Sequence, residues 1–181
     1  FLSPGPGYGG SCFPKDVKAL ISIAKDNDYQ FSLLEEVENI NHQSRRDIVR
    51  KARKILGDMR GKKIGILGLA FKANTDDMRD APAIDIINLL QNDGAKISAF
   101  DPKAMETAAA VLKNVDYKKD AYEVVKGAEL LIILTEWNEF RELDFLNIKN
   151  KMKTPNIIDG RNLYETEQMK AKGFNFMGIG R

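Results

Sequence analysis

The alternation of strands and helices is clearest in residues 63–100, which read KIGILGLAFKANTDDMRDAPAIDIINLLQNDGAKISAF. The apolar run from Lys63 to Leu69 predicts a buried strand. Residues from Pro82 to Asn92 predict a helix, because their apolar positions recur at helical spacing and Gly94 follows as a stop signal. A second strand, Lys96 to Phe100, follows the helix. A strand, a helix and a second strand in this order indicate a parallel pair joined by a crossover.

The same alternation continues to the end of the chain. Helices are predicted at 104–113, 121–126 and 166–172, a helical or irregular stretch at 139–152, and strands at 115–117, 129–135, 156–158 and 174–178. Such regular alternation is typical of an α/β fold. We therefore expect a Rossmann-like parallel sheet with flanking helices, preceded by a helical segment.

The helical segment occupies the first part of the chain. Residues 1–14 are rich in glycine and proline and predict an irregular loop, and a helix follows from Pro14 to about Asp26. Ser32 and Glu35 have the spacing of a capping box, which predicts the start of a long helix that ends before Gly57. That helix either packs along its own domain or also forms a subunit interface. We expect a homodimer through residues 33–56.

Polar residues 58–62 mark the predicted boundary between a unit at 1–58 and a unit at 59–181. The net charge of +2 comes from 28 basic and 26 acidic side chains, which indicates no broad basic field for nucleic acid. No apolar run approaches the roughly 20 residues that a membrane helix needs. The single cysteine, Cys12, excludes an intramolecular disulfide and favours a cytoplasmic location. Because the chain begins inside a loop and without methionine, we expect it to be part of a longer protein.

The most informative loop is residues 5–16, which read GPGYGGSCFPKD. Cys12 precedes a predicted helix start, and Lys15 adds a positive charge nearby, so both features favour a nucleophilic thiolate. Asp16 lies four residues further on, where it could orient or deprotonate a water molecule. A lone cysteine is otherwise most often a buried packing residue. His42, the only histidine, is expected at the surface, and one Cys with one His makes no metal site.

Two cations follow predicted strands at their carboxyl ends, the edge where open α/β sheets bind ligands. Lys72 and Arg161 in these positions suit a diphosphate, and the alternative is that both are solvated loop charges. Gly65 and Gly68 do not have the spacing of a dinucleotide fingerprint, and Asp101 lies too far along the chain to be its ribose-binding acid. We therefore expect these glycines to serve close packing between strand and helix.

Three motifs together resemble the UDP-glucose/GDP-mannose dehydrogenase family. The loop around Cys12 is similar to that family's active-site signature. Residues 68–72 (GLAFK) with 74–79 (NTDDMR) resemble a second signature, and residues 159–161 (DGR) a third. The three occur in the family's order and extend over nearly the whole chain.

The resemblance implies two successive NAD-dependent oxidations at carbon 6 of a nucleotide sugar. It implies that Cys12 captures the intermediate aldehyde as a thiohemiacetal that becomes a thioester, and that Asp16 assists its hydrolysis. The implied substrate contacts are Phe1, Leu2, Ser3, Pro4, Gly5, Gly9, Phe71, Lys72 and Arg161. The implied cofactor contacts are Lys15 and Arg79. Phe1 stands where many relatives have tyrosine, so a hydroxyl contact made there by relatives is missing.

Within the family the motifs favour UDP-glucose as substrate over GDP-mannose. Ser11 and Asp16 point away from dehydrogenases of UDP-N-acetylhexosamines. The resemblance also implies that residues 1–58 belong to a central dimerisation domain and residues 59–181 to a UDP-sugar-binding domain. The family's NAD fingerprint would lie in a domain that this chain lacks. The competing interpretation is that the chain as it stands is a non-catalytic nucleotide-sugar-binding and dimerisation module.

Overall fold

The computed structural model describes residues 3–180. The helices are α1 (Phe13–Asp26), α2 (Ser32–Leu56), α3 (Pro82–Asn92), α4 (Met105–Val111), α5 (Ala121–Val124), α6 (Asn138–Arg141), α7 (Phe145–Lys151) and α8 (Thr166–Ala171). The strands are β1 (Lys63–Leu67), β2 (Lys96–Phe100), β3 (Val115–Tyr117), β4 (Leu130–Ile133), β5 (Asn156–Asp159) and β6 (Asn175–Met177). No helix within residues 3–180 has the length and apolar character needed to cross a membrane.

Six strands of the described chain form one parallel sheet in the order β3-β2-β1-β4-β5-β6. The order reverses between β1 and β4, where Ile64 pairs with Leu130 and Leu67 with Ile133. This is the topology of a doubly wound α/β sheet, whose ligands bind beyond the strand ends at the reversal point. The predicted Rossmann-like α/β fold is confirmed.

Apolar side chains alternate between the two faces of the sheet because successive residues of a strand point in opposite directions. Ile64 and Ile66 of β1 join a core with α2 and α3 on one face, and Leu67 joins a second core with α5 and α7 on the other. Both faces are therefore covered; β4 is buried throughout, and β1 is buried except at Lys63. The carboxyl edge of the sheet is left for the loops that form the site.

The long helix α2 connects the amino-terminal loop to the sheet. Its residues Ile48, Val49 and Ala52 are buried in the first core, so the segment before the predicted boundary shares a core with the sheet that follows it. The boundary at residue 58 stays a prediction.

The predicted capping box at the start of α2 was wrong. Phe31 is the N-cap and makes no side-chain capping bond, while Ser32 already lies in the first turn. Ser32 therefore lies one position after the N-cap, where its side chain does not cap the helix. Glu35 pairs with Lys25 at 3.1 Å instead, which links the end of α1 to the start of α2.

Candidate active site at the carboxyl edge of the sheet

Arg161 links the loops that leave three neighbouring strands. It follows β5, its Nε donates to the Leu134 carbonyl beyond β4 at 2.8 Å, and a terminal nitrogen donates to the Phe71 carbonyl beyond β1 at 3.1 Å. The Glu136 carboxylate lies 3.0 Å from the same Nε. That contact is electrostatic, because the one Nε proton already points to Leu134. The guanidinium thus ties together the loops around the reversal point of the sheet.

Arg161 is more enclosed than the sequence suggested. Only 12% of its side chain is exposed, and burial lowers its pKa while the charge of Glu136 acts in the opposite direction. Lys72, in contrast, is exposed, with its Nζ 5.4 Å from the centre of the Phe71 ring. One predicted phosphate-binding cation is therefore built into the protein, and the other is available at the surface.

A cavity of about 350 Å³ adjoins Arg161. Its lining residues are Ser3, Pro4, Glu136, Arg141, Arg161, Asn162 and Leu163. The structure thus brings Ser3 and Pro4, two of the predicted substrate contacts, to the predicted phosphate-binding Arg161, although they are far apart in sequence. Phe1 and Leu2, also predicted as substrate contacts, lie outside the described residues.

Sequence reasoning missed Glu136, Arg141, Asn162 and Leu163 as lining residues. A signal was present for two of them, since Glu136 follows the predicted strand 129–135 and Asn162 lies just beyond the strand that precedes Arg161. Arg141 offered no signal in the sequence, because it does not directly follow a predicted strand. It reaches the cavity from the end of the short helix α6. A second cavity, of about 280 Å³, includes Arg53, Asp58 and Arg60 and none of the predicted site residues.

Glycines allow the amino-terminal loop to lie directly on the sheet domain. A Cβ at Gly10 would be 2.8 Å from the Phe71 ring, and a Cβ at Gly5 would be 2.7 Å from an Arg161 nitrogen. At Gly9 an added methyl group would overlap the carbonyl oxygen of Asp80. The Gly10 amide also donates to the Arg79 carbonyl at 2.8 Å. Predicted site residues from both ends of the chain therefore meet in one place.

Cys12 is exposed and forms the N-cap of α1, as the loop pattern predicted. Its Sγ lies 3.6 Å from the Ser11 hydroxyl oxygen. The thiol can therefore be reached from solvent at the start of a helix.

Two surface ion pairs lie near Cys12. Lys15 contacts Asp16 at 2.8 Å, and Arg79 contacts Asp77 at 2.7 Å. The pKa values of Lys15 and Arg79 are raised chiefly by hydrogen bonds to these carboxylates, and negative charge on Cys12 adds to both. Two cations from different parts of the chain therefore lie within electrostatic range of the sulfur.

Tyr8 anchors the loop to α2. Its amide donates to the Asn41 Oδ1 at 2.8 Å, its carbonyl accepts from Arg45 at 2.8 Å, and its hydroxyl donates to the Glu38 carboxylate. Burial and the Glu38 carboxylate raise the pKa of Tyr8. Sequence reasoning missed Asn41 and Arg45, although polar residues four apart within an apolar stripe are the signal of a buried contact on one helix face.

Asp101 is a structural residue. Its side chain is fully buried, and its two oxygens accept from the amides of Leu69, Ala70, Lys103 and Ala104 and from the Trp137 indole.

Gly65 and Gly68 lie against the Val124 side chain and Thr135, where a Cβ would approach within 2.8 Å and 2.5 Å. The contact of Gly65 with α5 agrees with the expected packing between strand and helix, whereas Gly68 packs against a residue beyond the end of β4. No cluster of three potential metal ligands was found among residues 3–180.

Comparisons with known proteins match both parts of the chain. Residues 65–166 match the UDP binding domain of the UDP-glucose/GDP-mannose dehydrogenase family, and residues 1–43 match its central domain. A UDP-glucose 6-dehydrogenase of Rhizobium meliloti (strain 1021) is 47% identical over all of this chain, which spans 42% of that protein's length.

Two solved structures are also similar. A UDP-glucose dehydrogenase from Pyrobaculum islandicum superimposes with a TM-score of 0.83 at 33% identity, over 97% of this chain and 38% of that one. A UDP-D-ManNAc dehydrogenase from Pyrococcus horikoshii superimposes with a TM-score of 0.80 at 31% identity, over 98% and 40%. The fold is thus shared by dehydrogenases whose names carry different sugars.

Proposed function

The chain belongs to the UDP-glucose/GDP-mannose dehydrogenase family, and from this we propose that the protein containing it oxidises UDP-glucose to UDP-glucuronate with NAD. The observation that carries the proposal is the position of Cys12. It is exposed at the start of α1, in a glycine loop that rests on the ligand-binding edge of the sheet. A packing cysteine would be enclosed, whereas a nucleophile must be reachable.

Cys12 is the proposed nucleophile. Its thiolate attacks the carbon of the intermediate aldehyde, the new C–S bond gives a thiohemiacetal, and the former carbonyl oxygen takes up a proton. Loss of a hydride from that carbon, and of the proton from its hydroxyl oxygen, leaves a thioester, which water cleaves to the carboxylate and the free thiol. Asp16, at the other end of the same helical turn, is proposed to position or deprotonate this water. For this role Asp16 has to release Lys15, or bind the water molecule while it keeps its ion pair with Lys15.

NAD supplies the acceptor for the two hydrides that leave carbon 6. Lys15 and Arg79 fit an anionic cofactor beside Cys12, because about 70% of each side chain is exposed and both respond to charge on the sulfur. One UDP-glucose, two NAD and one water then give one UDP-glucuronate, two NADH and three protons.

The nucleotide end of the substrate is proposed to lie at the cavity beside Arg161. Ser3 and Pro4 on one side and Arg161 on the other leave space for a phosphate-linked sugar, and Lys72 adds an exposed cation next to Phe71. Gly5 and Gly9 bring the backbone of the loop close to these groups. A diphosphate satisfies the charges better than a neutral ligand, because both residues carry donors suited to phosphate oxygens.

UDP-glucose is preferred to GDP-mannose and UDP-N-acetylhexosamines as the substrate because the relative at 47% identity carries that name. We also propose a cytoplasmic location, since the mechanism requires a reduced cysteine.

A homodimer through α2 is proposed because Leu33 and Ile40 on that helix are exposed apolar residues. Replacing both by glutamate should shift the full-length protein toward monomer in sedimentation.

Purified full-length protein with UDP-glucose and NAD tests the function. We expect two NADH per UDP-glucuronate, and no acid from a Cys12→Ala variant. Ser22→Ala, on the exposed side of the same helix, is the matched control and should behave as wild type. Acid formation by Cys12→Ala would exclude the covalent step, and a faster reaction with GDP-mannose would replace the proposed substrate.

The 181-residue chain alone should form no NADH, because the chain spans 42% of its Rhizobium relative and we propose that the remainder carries most of the NAD site. In that case the isolated chain is a nucleotide-sugar-binding and dimerisation module. NADH formation by the isolated chain would contradict this division of roles.

A further inference from the structure

Arg45 is the buried side chain that joins the cysteine loop to the sheet domain. It lies on α2 with 7% of its side chain exposed. One terminal nitrogen donates to the Tyr8 carbonyl at 2.8 Å and to the Asp80 carbonyl at 3.3 Å, and the other pairs with Asp85 in the first turn of α3. A single guanidinium therefore contacts the loop, the segment after β1 and a helix of the sheet domain.

Tyr8, which Arg45 holds, is connected to Cys12 through Phe13. The Tyr8 ring packs edge-on against Phe13, with ring centres 4.7 Å apart, and Phe13 is the residue next to Cys12. On the other side of Tyr8, the loop passes over the Asp80 carbonyl at Gly9. Because Arg45 holds both carbonyls, it sets how far the loop stands from the sheet domain.

The way in which Arg45 is buried favours a positioning role over a purely stabilising one. Its Nε is buried without a hydrogen-bond partner in the described part of the chain. An unpaired buried N–H is unfavourable, and an apolar residue of similar volume would avoid that cost. The planar guanidinium instead reaches three acceptors that lie in fixed directions, which the single ammonium of a lysine cannot do.

We propose that Arg45 is a positioning residue for Cys12, which holds the sulfur at the carbon of the intermediate aldehyde during the second oxidation. This inference rests on the proposed function. The first oxidation, from alcohol to aldehyde, needs no bond to sulfur. The second begins when the thiolate adds to the aldehyde carbon and the oxygen is protonated. Displacement of the loop should therefore impair capture of the aldehyde more than its formation.

The experiment uses full-length protein, with UDP-glucose and NAD as substrates and semicarbazide as the aldehyde trap. The ratio of trapped UDP-aldehyde to UDP-glucuronate is measured for wild type, Arg45→Met and Arg45→Lys. We expect the ratio to rise by roughly tenfold or more in Arg45→Met, because a displacement of about 1 Å can cost a reacting group this much. Arg45→Lys should lie between the two, and KM for UDP-glucose should stay within about threefold of wild type.

Arg46→Met is the matched control, since Arg46 is the next residue of α2 and is exposed. Its ratio should equal that of wild type. A merely structural role for Arg45 would reduce the amount of active enzyme and lower both products together, which would leave the ratio unchanged and overturn the proposal. If Arg45→Met does not fold, the ratio of Arg45→Lys decides in the same way. A wild-type protein that oxidises no UDP-glucose would refute the proposed function itself, and this inference with it.

Discussion

Replacing Arg161 by methionine separates two roles that the sequence alone could not distinguish. A cation at the end of a strand was expected to bind substrate phosphate, yet the structure also uses this guanidinium to join three loops. We therefore expect Arg161→Met to weaken folding as well as binding. Lys72→Met should weaken binding alone, because Lys72 is exposed and its Nζ lies over the Phe71 ring.

The expected loss of stability follows from the contacts that Arg161 makes. Methionine keeps most of the apolar packing but removes donors to the carbonyls of Leu134 and Phe71. Leu134 is 2% exposed, so its carbonyl would lose its partner in a dry environment, at a cost of about 1–3 kcal/mol. The bond to Phe71 adds about 1 kcal/mol, and the ion pair with the half-exposed Glu136 adds at most about 1 kcal/mol. We expect a total loss of about 2–5 kcal/mol.

Urea unfolding of the 181-residue chain, followed by circular dichroism, measures this difference. Arg141→Met is the matched control, because Arg141 lines the same cavity but is exposed, and it should change stability by less than about 0.5 kcal/mol. Titration of the same variants with UDP measures binding, where each charge-assisted hydrogen bond lost should cost about 1.5–3 kcal/mol.

An Arg161→Met variant as stable as wild type would refute the reasoning, because it would show that the links between the three loops are absent in solution. A variant that unfolds more easily but binds UDP with wild-type affinity would leave the structural role intact. The proposed contact with the diphosphate would then be wrong.

Three further predictions concern other parts of the structure. Gly9→Ala should lower the activity of the full-length protein by roughly a hundredfold, because the methyl group would meet the Asp80 carbonyl and push the cysteine loop away; unchanged kcat would contradict the close contact. Asp144→Ala removes the acceptor for two amides at the start of α7 and should cost about 1 kcal/mol in urea unfolding, whereas an equal midpoint would show that the cap is not needed. A hydrogen bond from Arg79 lowers the pKa of Asp77, so this pair contributes stability above about pH 4 and loses it as the pH falls further. Stability measured against pH should accordingly fall less steeply on the acid side in Arg79→Met, and a curve parallel to that of wild type would count against the pair.

Much of the sheet domain could be predicted from local patterns. Strand β1 was expected at 63–69 and is found at Lys63–Leu67, and α3 was expected and found at Pro82–Asn92. These elements follow from apolar spacing and from Pro and Gly at their ends, which act over a few residues. The start of α2 was predicted at Ser32 and is found there, but the predicted capping box is wrong, because the spacing of Ser32 and Glu35 does not determine the conformation of the turn before them.

The residues of the candidate site were predicted in part. Cys12 was singled out from its loop and is exposed as expected, and Arg161 was singled out from its place after a strand. The sequence could not show that Arg161 bonds to the carbonyls beyond two other strands, nor that Asn41 and Arg45 hold the loop through Tyr8. The partners in these contacts are separated by 27 to 90 residues.

Short stretches of sequence were enough to predict three features: a reachable thiol in a glycine loop, an alternation of strands and helices, and cations that follow strands. Where those groups stand relative to one another came only from folding. Hydrophobic burial draws α2 against the sheet through Ile48 and Ala52 and so brings the cysteine loop to the edge where Arg161 lies. Burial has no fixed direction along the chain, so distant contacts of this kind depend on the packing of the whole core.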